Sequence, residues 1–320
     1  MIKTSTLYEG KTKIAYLTDD ENILLEFKDD ITAFDGKKHE ILQGKGRINA
    51  LISARLFELL NASGIRTHYF NFVEPKSILV KKLNMIKLEV TCRNIATGSL
   101  TKRLPFKEKE VLESPIIEYY YKSDEYHDPI INSDHVKALE LANETELEEM
   151  RNSILKANTV LQKFLLNKEV LLVDFKLEFG RDSQGQLFIG DEISPDSCRF
   201  WDKTTLRSLD KDVFRRGELD VMEVYQEIFR RIVGEWLEHI AEVLIELKPG
   251  LIDPEGKAIH KALNLLGYQN VKEVKSSKQL KIKLEVNSKE NAKKLIDEMC
   301  RRLLANPIIH NYTITVKEAK

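Results

Sequence analysis

Cysteine is scarce in this chain: among 320 residues only Cys92, Cys198 and Cys300 occur, far apart and with no CxxC pair. That leaves no disulfide frame or zinc site to build and fits a reducing compartment. An excess of one charge sign is missing too. Lys and Arg number 50 against 51 Asp and Glu, a net charge of −1, which argues against a general nucleic-acid binder or an acidic solvating tail. No apolar run is long enough to cross a bilayer, and the opening Met1-Ile2-Lys3-Thr4-Ser5-Thr6 has no apolar signal core. The expectation is a cytoplasmic protein with no membrane partner. Repeats and low-complexity stretches are absent, so the chain should fold almost throughout. No Ser/His/Asp or Cys/His set suggests itself, and Cys92 and Cys198 read as buried packing residues.

What is present is ample apolar material, 42% of residues, in a chain longer than the usual single domain. Short apolar runs at Ile14–Leu17 and Ile23–Phe27 read as strands. A helix is expected from Asn49 to Ser63, stopped by Gly64, followed by an extended run from Ser77 to Lys82. Thr145 and Glu148 fit a capping box for a long helix with Leu147, Met150, Ile154, Ala157, Leu161 and Phe164 on one face. Val170–Val173 reads as a buried strand, Asp182–Gly185 as a turn and Leu187–Gly190 as the returning strand. A last helix of this part is expected from Asp220 to Glu238.

The pattern then restarts, which places a domain boundary near His239, with domains at 1–238 and 239–320. Ala241–Leu247 reads as a strand. Asp253-Pro254 opens a helix that Gly267 closes, Leu280–Val286 alternates as a half-buried strand, and Ser288 caps a further helix. Strand, helix, two strands, helix, strand describes a small ferredoxin-like α+β unit. Residues 240–320 carry 15 basic and 10 acidic groups, leaving 35 and 41 in the front part. The tail is thus only mildly basic, and no stacking aromatics of an RNA-binding sheet occur.

Three stretches look chemical. In Asp174-Phe175-Lys176-Leu177-Glu178-Phe179, strand alternation puts Asp174, Lys176 and Glu178 on one face. Asp191 and Glu192 return toward that face across the hairpin. Such carboxylates can hold Mg²⁺ on nucleotide phosphates, although the spacing fits a solvated face with an ordinary ion pair as well. Tyr8-Glu9-Gly10-Lys11-Thr12-Lys13 lets a backbone approach closely, with two lysines pointing the same way. It is neither a GxxxxGK[ST] phosphate loop nor a GxGxxG turn, and taken alone it reads more simply as a glycine turn with solvated lysines. Arg93 to Leu100, a Gly-Ser turn behind an arginine, could grip a phosphate or carboxylate or merely cap a helix. Two further polar turns, at His127-Asp128-Pro129 and from Ser194 to Arg199, are open in the same way.

Together these stretches resemble the SAICAR (phosphoribosylaminoimidazole-succinocarboxamide) synthetase family. The residues are YEGKTK at 8–13, FKDDITAFDG at 27–36, GKG at 44–46, CRNIATGSL at 92–100 and HDP at 127–129. VDFKLEFG at 173–180, GDEISPDSCRFWD at 190–202 and LDKDVFRR at 209–216 complete the set in the right order. The resemblance implies a two-lobed α+β ATP-binding fold over about residues 1–237. It also implies ATP- and Mg²⁺-dependent joining of carboxyaminoimidazole ribotide to L-aspartate. Carried over, Lys11, Lys13, Lys81, Glu178 and Asp191 would bind ATP, with magnesium on Glu178 and Asp191. Arg93, Ser99, Arg199, Arg215 and Asp35 would bind the ribotide, and Lys176, Asp128 and Asp174 would be catalytic. Gly217-Glu218-Leu219 departs from the family pattern after the two arginines. A kinase-like phosphotransferase and a scaffold with an inactive ligase half are the alternatives.

The tail has its own resemblance. LIELKPGLIDPEGKAIHKALNLLGY at 244–268 and EMCRRLLANPIIHNYTI at 298–314 are similar to the PurS subunit of phosphoribosylformylglycinamidine synthase, with Ser276-Ser277-Lys278 replacing the usual glycine-lysine turn. This implies a non-catalytic adaptor that self-associates and bridges the synthetase and glutaminase subunits of that enzyme. A generic ferredoxin-like ligand-binding or dimerisation domain is the alternative.

Overall fold

The computed structural model describes residues 3–33, 38–217, 220–235, 237–286 and 288–318. It divides into two compact units, Met1–Val233 and Gly234–Lys320.

The first unit opens with β1 (Lys3–Glu9), β2 (Lys13–Thr18) and β3 (Ile23–Phe27), then a short hairpin of β4 (Asp30–Ala33) and β5 (Lys38–Ile41). Helix α1 (Lys45–Ala62) leads to β6 (Tyr69–Val73) and β7 (Ser77–Val80). The strands outside the hairpin form an antiparallel sheet in the order β1-β2-β3-β7-β6. Helix α1 begins four residues before the expected Asn49, because Gly46 lets its first turn press onto β3. A Cβ there would stand 2.5 Å from the Phe27 carbonyl oxygen. It ends as expected, with Gly64 left-handed at φ 76°.

The second sheet of this unit holds β8 (Asn84–Ile95), β9 (Val111–Tyr121), β10 (Ile130–Ile131), β11 (Val170–Arg181), β12 (Leu187–Gly190) and β13 (Cys198–Asp202). Its order is β10-β9-β8-β11-β12, with β13 also paired to β11. Helices α2 (Ser99–Arg103), α3 (Ser133–Ala138) and α4 (Glu144–Leu166) lie before β11, and α5 (Asp212–Arg216) and α6 (Val221–Ile232) after β13. The expected capping box of α4 is displaced by two residues. Asn143 and Glu146 close it, each side chain accepting the other's backbone N–H at 2.9 Å, because Asn143 has the extended backbone an N-cap needs. Its buried stripe of Leu147, Met150, Ile154, Leu161 and Leu165 covers β8 and β11, each side chain contributing about 1.5–3 kcal/mol. Helix α6 stops at Ile232, short of the expected Glu238; Gly234 is left-handed at φ 109° and releases the chain into a strand.

The second unit runs β14 (Leu237–Leu247), α7 (Pro254–Leu265), β15 (Ser277–Val286), α8 (Lys289–Met299) and β16 (His310–Glu318). Its antiparallel sheet has the order β15-β14-β16. One long strand, β15, stands where the sequence reading put two, so three strands make the sheet among the described residues. Ala241, Val243 and Ile245 pack with Leu280, Ile282, Leu284, Tyr312, Ile314 and Val316 against Ile296 and Cys300. Helix α7 buries only Gly256. Asp253 caps it as expected and reaches the variant loop too, accepting the Ser276 N–H at 2.6 Å and hydroxyl at 2.8 Å.

Candidate active site

Strand β11 carries the site because its two faces separate cleanly. Phe175, Leu177 and Phe179 are buried on one side. On the other, Asp174, Lys176 and Glu178 lie opposite Arg93, Thr91 and Glu89 of β8, and β9 extends the row with Glu118 and Tyr120.

The Asp174 end is an arginine cluster. Arg93 donates to Asp174 at 2.8 Å, to Glu118 at 2.6 Å and to the Ser99 hydroxyl at 3.0 Å. Arg199 joins Asp174 to Asp212, at 2.7 Å each. Arg215 also pairs with Asp212, and Arg103 with Glu118 at 2.6 Å. Gly98, left-handed at φ 63°, makes room: a Cβ there would be 3.0 Å from the Arg199 guanidinium. Among the described residues that pair directly, four guanidinium groups (Arg93, Arg103, Arg199, Arg215) thus meet three carboxylates (Asp174, Glu118, Asp212), an excess of one positive charge.

The Glu178 end has the opposite balance. Lys13 bridges Asp191 and Glu192, Lys122 pairs with Glu178, and Lys176 with Glu89 at 2.8 Å. Three lysines face four carboxylates, so one negative charge is left. Burial and the neighbouring Asp191 push the Glu178 carboxyl up, against the pull of Lys122. Burial would raise Asp191 as well, but Lys13 outweighs it and holds that carboxyl low. Asp191 sits at φ 61°, a left-handed backbone that aims its side chain at Lys13.

Beneath both ends, Asp196 accepts from Lys45 at 2.6 Å, Asn49 at 3.1 Å and Tyr225 at 2.7 Å, with Lys45 and Tyr225 fully buried. This network pins the loop between β12 and β13. Asp210, buried beside Asp212, has its carboxyl pushed up to about 7, chiefly by burial.

Comparison with known proteins bears directly on this site. The family model described as SAICAR synthetase matches residues 6–232. The phosphoribosylaminoimidazole-succinocarboxamide synthases of Methanopyrus kandleri and Pyrococcus abyssi are 54% and 50% identical, covering 71% and 72% of this chain and 93% and 97% of theirs. A solved structure, SAICAR synthetase (Type-2) in complex with ADP, superposes with a TM-score of 0.70 at 50% identity, over 71% of this chain and 97% of that one. The chain belongs to the SAICAR synthetase family. Residues 240–318 match a second family model, PurS, described as phosphoribosylformylglycinamidine (FGAM) synthase, so the chain carries a C-terminal PurS domain.

Of the residues singled out in the sequence, Arg93, Ser99, Asp174, Arg199 and Arg215 meet at the arginine end, and Lys13, Lys176, Glu178 and Asp191 at the other. Lys11 is exposed and, among the described residues, pairs with Asp124 alone, at 3.5 Å. Asp128 is drawn into its own turn: its carboxylate accepts the Ser123 N–H at 2.8 Å, and it stands at φ 48°. Lys81 pairs with Asp182 at 2.6 Å, at the turn of the β11–β12 hairpin and away from Asp191. Asp35 lies outside the described residues. Cys92 and Cys198 are buried, and burial pushes the Cys92 thiol up to about 12, as packing residues require.

The sequence reading missed Glu89, Glu118, Lys122, Asp212 and His68. Glu89-Val90-Thr91-Cys92-Arg93 has the same alternation as β11 and would have exposed Glu89. His68 is 3% exposed, its Nε2 has no hydrogen-bond partner, and its ring lies edge-on to Phe57 at 5.3 Å. No cluster of three or more His, Cys, Asp or Glu able to hold a metal occurs among the described residues. Two adjacent carboxylates with surplus negative charge nevertheless fit magnesium, which takes few protein ligands and completes its shell with phosphate and water.

Proposed function

We propose that the first unit ligates carboxyaminoimidazole ribotide to L-aspartate at the expense of ATP, yielding SAICAR, ADP and phosphate. The observation that carries this reading is the opposite charge surplus at the two ends of β11. The arginine end suits the anionic ribotide, held by Arg93, Ser99, Arg199 and Arg215, and the family resemblance adds Asp35 as a ribotide ligand. The Glu178 end suits metal-bound nucleotide phosphates, approached by Lys11 and Lys13, and the family resemblance assigns Lys81 to ATP as well. Magnesium on Glu178 and Asp191 would neutralise charge on the transferred phosphoryl group.

The γ-phosphoryl group passes to the ribotide carboxylate, breaking its bond to ADP and forming an acyl phosphate. The aspartate amine then attacks the acyl carbon, inorganic phosphate leaves and the nitrogen loses a proton. Lys176, between Asp174 and Glu178 on β11, would stabilise the anionic groups exchanged between the two ends, while Asp174 orients Arg93 and Arg199. Asp128 acts by setting the turn that presents Lys122. Coupled ADP release with ribotide and Mg-ATP, with and without L-aspartate, tests the reading. Release requiring both establishes the ligase. Release indifferent to aspartate replaces it with a phosphotransferase, and none from folded protein with an inactive scaffold.

For the PurS domain we propose self-association and bridging of the synthetase and glutaminase subunits of formylglycinamidine ribonucleotide synthase. Support comes from α7, whose Ile259, Leu265 and Leu266 are exposed. Full-length protein should co-purify with both subunits when glutamine and nucleotide are present. Recovering neither, while a stand-alone PurS protein recovers both, sinks the proposal.

A further inference from the structure

Lys211, just before α5, is half-buried, yet its side chain makes no hydrogen bond or ion pair among the described residues, while its main chain is fixed. Its N–H donates to the Pro195 carbonyl at 3.2 Å, and its own carbonyl accepts from Arg215 at 3.2 Å. The carboxylates around it are already engaged. Asp196 takes Lys45 and Asn49 on one oxygen and Tyr225 on the other. Glu192 takes Lys13 on one oxygen and the Ser194 hydroxyl on the other. A cation withdrawn from water without a counter-ion is costly, and the cost is relieved when an anion arrives. Burial, aided by Lys45 and Arg215, already disfavours its charged form, against the pull of Asp196 and Glu192.

Its position says which anion. Its N–H is bound to Pro195 in the loop that carries Glu192 and Asp196, and the next residue, Asp212, pairs with Arg199 and Arg215, so it stands between the two clusters. The ligase reading gives the nucleotide phosphates to one cluster and the ribotide to the other. The third reactant has two carboxylates, must reach the carbon activated between those ends, and has no cation assigned. A lone ammonium, without a guanidinium's fork, matches a single carboxylate. We propose that Lys211 is the receptor for a carboxylate of the dicarboxylic amino-acid substrate. The proposal rests on the ligase reading.

Steady-state kinetics of Lys211→Met and Lys211→Gln, varying each substrate in turn, test it. Loss of one charge-assisted contact should raise KM for L-aspartate about 10- to 100-fold, leaving KM for ATP and the ribotide within about twofold. Lys211→Arg should recover part of the loss. An unchanged KM for L-aspartate, or an equal rise in all three, overturns the proposal while leaving the ligase reading intact, as does a rise confined to the ribotide. If both neutral variants unfold, Lys211→Arg decides: a KM change for L-aspartate alone supports the proposal, and none overturns it. Wild-type ADP release that ignores aspartate defeats the ligase reading and this proposal together.

Discussion

Asp174 and Glu178 are carboxylates on the same face of the same strand, yet their surroundings give them opposite tasks. Asp174 accepts from two guanidinium groups inside a cluster with cation to spare. Glu178 shares its volume with Asp191, so burial and like charge push its carboxyl up. One end therefore gains by receiving an anion and the other by receiving a cation. A ligase that must bring a phosphorylated acceptor against a metal-bound nucleotide needs that polarity. The difference lies in what β8, β9, β12 and β13 bring alongside, not in β11.

The largest effects should come from reversing the cation-seeking end. Glu178→Gln and Asp191→Asn remove half the surplus carboxylate pair and should each lower kcat about 10²–10³-fold. The magnesium concentration for half-maximal rate should rise, with ribotide KM nearly unchanged. A shift in ribotide KM instead would erase the distinction between the ends. Arg199→Lys is the counterpart. One ammonium cannot span Asp174 and Asp212, each 2.7 Å from the guanidinium, so kcat/KM for the ribotide should fall about 10- to 100-fold. Magnesium dependence should stay put.

His68 sharpens the comparison through pH. Burial lowers its imidazole from the ordinary 6.5 to about 4, helped by Lys13 and opposed by Asp191. The unfolded chain therefore binds a proton that the folded one refuses. The stabilisation is complete above pH 6.5 and disappears as pH falls toward 4, by about 3 kcal/mol in all. Denaturant midpoints measured across that window should fall on acidification in wild type and fall less in His68→Gln. Equal slopes would show that His68 is not buried neutral.

Much of this was legible in the sequence because alternation and turn chemistry are local. The face shared by Asp174, Lys176 and Glu178, the Asp182–Gly185 turn and the caps at Asp253 and Ser288 all follow from neighbours within a few residues. What escaped depends on pairing across the sheet. Glu89 and Glu118 gain meaning only when β8 and β9 register against β11, and Lys122 only when its turn folds back on Glu178. The end of α6 was misplaced because Leu237 continues the apolar periodicity, while the left-handed Gly234 breaks the helix first. Where two strands were expected between α7 and α8 there is one, because Asp253 ties Ser276 to the start of α7 and the chain runs as a single strand from Ser277 onward.

The smallest effect on turnover should come from the second unit, where the contrast is between a closed core and an open helix. In the first unit α4 buries its apolar stripe. In the second, α8 covers one sheet face while α7 leaves Leu265 and Leu266 80% and 74% exposed. Apolar surface of that kind persists in soluble proteins when something covers it. Leu265→Ser with Leu266→Ser removes apolar area that the isolated chain does not bury, so the fold of the unit loses little. Sedimentation should then show weaker self-association, while aspartate-dependent ADP release stays within about twofold of wild type, because the SAICAR synthetase match lies within residues 6–232 and distant substitutions act independently. If the doubly substituted protein sediments as wild type does, α7 is not the contact, and the adaptor proposal must rest on another face of the domain.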